Sequence, residues 1–88
     1  MADARVLLVD DDEIARTSLT DVLEQSGFAV TTAGSVPEAL RLITGSETYD
    51  VLLSDLHMPG AGDGLTVVSA MRHANPLAVT LLLAHSPR

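Results

Sequence analysis

The 88 residues suffice for one small domain, and a chain of this length buries only about 60 to 65% of its unfolded surface, so its stability margin is thin. Twelve acids against five arginines leave a net charge of -7, which repels nucleic-acid phosphates and anionic lipid. Cysteine is absent, which excludes disulfides and thiolate metal sites, and there is neither a signal peptide nor a bilayer-length apolar run, so a cytoplasmic protein with no nucleic-acid or membrane partner is expected.

Arg5 to Val9 is an aliphatic run closed by Asp10-Asp11-Asp12-Glu13, which predicts a first strand ending in acid. A helix follows with Ala15, Leu19, Val22, Leu23 and Ser26 as its inward stripe, Arg16 in solvent or paired locally with an acid, and Gly27 as its terminal glycine. Residues Phe28 to Ala33 form a second, less apolar strand, expected at an edge. Ser35-Val36-Pro37-Glu38 has the form of a capping box, with Ala39, Leu40 and Ile43 buried behind it.

A polar connection, Gly45 to Asp50, leads to the apolar strand Val51-Leu52-Leu53-Ser54, which delivers Asp55 to its carboxyl end. The Gly60 to Gly64 stretch is too glycine-rich for a helix and is expected to be a mobile loop beside Asp55. Leu65, Val68 and Met71 mark a third helix, ended by His73-Ala74-Asn75-Pro76, and Ala78 to Leu83 is strand four. This β-α-β-α-β-α-β alternation with right-handed crossovers predicts an α/β fold, a doubly wound parallel sheet in the order 2-1-3-4 with three helices. Strands one and three are then neighbours, and Asp10 to Asp12 meet Asp55 at the topological switch point.

Like charges a few ångströms apart in a crevice need a cation or a raised pKa. Hard oxygen ligands at an open site suit Mg2+ with a phosphate group, and a carboxylate such as Asp55 can accept a phosphoryl group. A plainer reading makes Asp10 to Glu13 an acidic helix start and Asp55 a turn residue, and spacing alone does not choose between the two. His57, His73 and His85 are scattered and read as solvated, and no glycine fingerprint for a dinucleotide follows a strand, so an enzyme is not expected.

Taken together, VLLVDDDE, VLLSDLHMP and the glycine-rich entry into GLTVVSAMR resemble the receiver domain of two-component response regulators over essentially the whole chain. The resemblance implies a flavodoxin-like fold in which Asp55 is the phosphoacceptor. Asp10, Asp11 and Asp55, with the backbone carbonyl of His57, would hold Mg2+, while Asp12 starts the helix. It also implies a histidine kinase or small phosphodonor as partner.

Two departures stand against it. The hydroxyl residue expected at the end of strand four is replaced by Ala84 or Leu83, depending on alignment, and the family's strand-five Lys has no counterpart, since the chain contains no Lys. Residues 1–88 are accordingly expected to form a single truncated receiver domain lacking helix four, strand five and helix five, and a naturally short protein is favoured over a fragment. Strand four would then be an exposed apolar edge, and Val79, Leu81, Leu82 and Leu83 are expected to join two or more copies through antiparallel pairing. The alternative function is a phosphorylation-independent dimerising module.

Overall fold

The computed structural model describes residues 3–56 and 64–83. Its elements in chain order are β1 (Arg5–Val9), α1 (Glu13–Gln25), β2 (Ala29–Ala33), α2 (Val36–Ile43), β3 (Val51–Asp55), α3 (Gly64–Ala74) and β4 (Val79–Leu83). The four strands form one parallel sheet in the order β2-β1-β3-β4, as expected, with the weakly apolar β2 at an edge.

Parallel pairing sets the faces, because partners in register point the same way and neighbours along a strand point oppositely. Leu7, Val9 and Leu52 turn to one side, where they pack with Val36, Ala39 and Ile43 of α2 and Val67 and Met71 of α3. Val6 and Leu8 turn to the other side, towards α1, and are also fully buried. Val51, Leu53, Val79 and Leu81 share that second face, but α1 reaches only β1 and β2. Val51 and Leu53 are therefore half-buried, and Val79 and Leu81 are exposed.

The caps explain where the helices begin and stop. Asp12 caps α1 by accepting the Ile14 N–H, and at the other end the amides of Gly27 and Phe28 return to the carbonyls of Glu24 and Leu23. That reversal places Gly27 at φ 95°, where a side chain would be strained. The Ser35 hydroxyl accepts the Glu38 N–H, and the Glu38 carboxylate accepts the Gly34 N–H, one residue before the cap.

Three expectations need correction. No residue of α1 is buried; Ala15, Leu19 and Leu23 are partly covered as foreseen, but Val22 and Ser26 face solvent, and Arg16 and Thr20 take their places. The helix is rolled because Arg16 is drawn inward to the end of β1. In α3 Met71 is buried and Val68 partly so, as expected, but Leu65 is exposed and Val67 and Gly64 are buried, because Gly64 packs directly on the end of β3. The connection into β3 is not wholly polar: Tyr49 is buried against the core, and its carbonyl accepts the Asn75 side-chain N–H.

Candidate functional site

Asp10 follows β1 directly and Asp55 is the last residue of β3, strands that pair through Val9 and Ser54. The strand order thus brings together two acids that lie 45 positions apart in the chain. Carboxylate oxygens of Asp10, Asp11 and Asp55 all lie within 4.8 Å of one another. Asp10 and Asp55 are buried, at 0% and 2% exposure, whereas Asp11 faces solvent. Asp12 turns away to cap α1, as its place in the sequence suggested.

The backbone fixes both ends of this cluster. The Asp10 N–H donates to the Ala33 carbonyl at 3.1 Å, and Asp10 Oδ1 accepts the Asp12 N–H at 2.9 Å, which aims the carboxylate back along its own turn. Asp55 is in register with Leu83 at the end of β4, and the Leu56 N–H continues the ladder to the Leu83 carbonyl at 2.9 Å. Gly64 opens α3 directly against this strand end; a Cβ there would collide with the Asp55 carbonyl and fall 3.0 Å from Leu56 Cα.

Three carboxylates, two of them removed from water, are a hard and strongly anionic donor set. A divalent cation would relieve their mutual repulsion, and one face of the cluster stays open to solvent through Asp11. The donor chemistry therefore fits a hard cation with room for waters or a phosphate oxygen.

The chain matches the response regulator receiver domain profile over residues 6–87. The chain belongs to this family. It is 41% identical over 80 residues to the DNA-binding transcriptional regulator NtrC of Klebsiella pneumoniae, a match that covers 90% of this chain and 17% of that protein. A response regulator of Burkholderia pseudomallei, solved with a phosphorylated aspartic acid, calcium ion and citrate, superposes with a TM-score of 0.85 at 33% identity, covering 97% of this chain and 49% of that one. Response regulator TrrA of Thermotoga maritima, solved with Mg(2+)-BeF, gives 0.79 at 34% identity, covering 92% and 69%.

The chain spans about a sixth of the NtrC sequence, so the DNA-binding role in that protein's name does not transfer with the match. As a receiver domain of two-component response regulators it is a signalling module, of a kind not generally enzymatic in itself. No helix among the described residues is long and apolar enough to cross a membrane.

Of the residues singled out in the sequence, the receiver fold brings together Asp10, Asp11 and Asp55, with Leu83 beside Asp55. His57 and Ala84 lie outside the described residues. His73 is exposed near the end of α3, on a different part of the surface from the cluster. Arg16, expected in solvent or beside a local acid, turns instead to the backbone of one: its guanidinium Nη1 donates to the Asp10 carbonyl at 2.7 Å. A basic residue one turn beyond the helix-capping Asp12 was the available signal. Gly64 was missed as a helix start, because its glycine neighbours made the whole stretch read as loop.

Proposed function

We propose that this receiver domain takes a phosphoryl group on Asp55, from the phosphohistidine of a partner histidine kinase or from a small phosphodonor, with Mg2+ held by Asp10, Asp11 and Asp55. The observation that carries this reading is the convergence of three carboxylates within 4.8 Å at the ends of two adjacent strands. The phosphorylated aspartic acid and calcium ion of the Burkholderia relative, and the Mg(2+)-BeF complex of the Thermotoga relative, support the same chemistry here.

In the transfer, an Asp55 carboxylate oxygen supplies the electron pair of the new P–O bond as the bond from phosphorus to the donor breaks. The leaving group departs with that bond's electrons; an imidazole leaving group is neutralised by the proton it already carries or takes from water. Asp10 and Asp11 would hold the cation with Asp55, and it would supply neutralisation of the phosphoryl oxygens when bound. The backbone carbonyl of His57 is the further ligand that the resemblance implies. Leu83, in register with Asp55, has no hydroxyl to offer the phosphoryl group, so the acyl phosphate is held without a side-chain hydrogen bond from that position.

Self-association belongs to the same reading. The exposed apolar side chains of β4, Val79 at 55%, Leu81 at 49% and Leu82 at 42%, favour pairing with a second copy, with the half-buried Leu83 at its rim. A cytoplasmic location belongs to the same proposal, since that is where a phosphohistidine or small acyl phosphate donor would meet the module. The alternative of a phosphorylation-independent module draws no support from the family match or from the retained acids.

Intact mass spectrometry after incubation with a small acyl phosphate and Mg2+ tests the phosphoacceptor. One phosphoryl adduct is expected in the parent, none in Asp55→Asn and none with chelator. No adduct in a parent that binds Mg2+, or an undiminished adduct in Asp55→Asn, contradicts the assignment.

A further inference from the structure

Arg16 is one of five basic residues in a chain of net charge -7, and it lies half-buried rather than extended into solvent. Its Nη1 donates to the Asp10 carbonyl at 2.7 Å. The turn that bears Asp10 and Asp11 is thus held at three points: the Asp10 amide by the Ala33 carbonyl, the Asp10 carbonyl by Arg16, and the Asp10 carboxylate by the Asp12 N–H. Behind the guanidinium lies Gly34. A Cβ at that position would fall 3.0 Å from Arg16 Nη1 and 3.4 Å from its Cζ, so the guanidinium packs closely over the bare face of this glycine. Gly34 is itself fixed, since its N–H donates to Glu38 Oε1 at 2.9 Å.

We infer that Arg16 is a positioning residue for the acidic cluster: seated on Gly34, it clamps the Asp10–Asp11 turn in the direction that lets these acids meet Asp55. The inference rests on the cation-binding reading of the cluster, and a sign argument separates it from a simple charge effect. A fixed positive charge close to a cation site repels the cation, so its removal by electrostatics alone tightens binding. Removing a clamp that orients the ligands loosens binding instead. Arg16 reaches a main-chain carbonyl, which is the geometry of a clamp.

The test uses the full chain and four proteins: the parent, Arg16→Met, Arg16→Lys and Gly34→Ala. Mg2+ titration by calorimetry is paired with amide hydrogen exchange measured without metal. Arg16→Met and Gly34→Ala are each expected to weaken Mg2+ binding about tenfold, the scale set by losing an outer partner of a metal ligand. Arg16→Lys, which keeps the charge and one donor, is expected to recover part of that loss. In the metal-free protein, exchange at the Asp12 amide is expected to accelerate in Arg16→Met while the Leu7 and Leu52 amides stay protected.

Tighter or unchanged Mg2+ binding in Arg16→Met overturns the clamp, and so does parental binding in Gly34→Ala. If the parent binds no Mg2+, the cation reading itself fails, and the metal-free exchange decides the clamp alone, with an unchanged Asp12 amide overturning it. Should Arg16→Met not fold, Gly34→Ala and Arg16→Lys carry the same two readouts.

Discussion

On the side of the sheet covered by α2 and α3, Leu7, Leu52 and Val67 are wholly buried; on the α1 side, Val79 and Leu81 of the same sheet are 55% and 49% exposed. The two faces differ because two helices cover one and a single helix, lying over β1 and β2, covers the other. Asp10 and Asp55 extend from β1 and β3, the two central strands of the sheet. By the alternation along each strand the acidic cluster lies on the α1 side, with Leu8 and Leu53, but on the central strands, where Asp10 and Asp55 are buried, whereas the exposed apolar side chains lie at β4. The acidic cluster and the exposed apolar side chains thus sit on different strands, so the site chemistry and the association proposed for β4 can be separated by mutation.

The largest effect is expected on the side covered by α2 and α3. Leu52→Ala should lower stability by about 2 to 5 kcal/mol, because a fully buried side chain leaves a cavity. In a domain of this size that approaches the entire margin, so urea denaturation should show a sharply lowered midpoint or no folded baseline. Loss of less than about 1 kcal/mol would mean that the core closes around the gap and that the contrast between the faces is overstated.

Gly64→Ala should follow, at about 1 to 3 kcal/mol, since the new Cβ meets the Asp55 carbonyl and α3 must withdraw. Its Mg2+ affinity should fall together with its denaturation midpoint. Parental values of both would show that the close approach of α3 does not position Asp55.

Leu81→Lys should act least on the fold, within about 0.5 kcal/mol, and most on association. Size exclusion with light scattering should find the parent as a dimer and the variant as a monomer that still folds. A parent that is monomeric at micromolar concentration would remove the pairing proposed for β4.

The strand order was readable in advance because the β-α alternation with right-handed crossovers on opposite faces places strands one and three side by side. The meeting of Asp10, Asp11 and Asp55 followed from that order alone. The rotation of α1 was not readable, because Val22 and Arg16 compete for the inward side and a tertiary hydrogen bond to the Asp10 carbonyl decides it. In α3, the apolar residues Leu65, Val67 and Val68 allow more than one stripe, and the packing of Gly64 on the end of β3 selects Val67. Tyr49 was hidden by its polar neighbours, although its ring closes the end of the core.

The fold, rather than the run of acids after β1, assembles the cluster proposed to hold Mg2+. Mg2+ titration of the parent beside Asp10→Asn, Asp55→Asn and Glu13→Gln tests it directly. Glu13 belongs to the same acidic run but opens α1 and lies outside the cluster. Saturable binding of one Mg2+ is expected in the parent and in Glu13→Gln, and its loss in both Asp variants. Equal weakening by all three substitutions, or binding that survives Asp55→Asn, would show diffuse attraction to an acidic segment and contradict a site assembled from two strands.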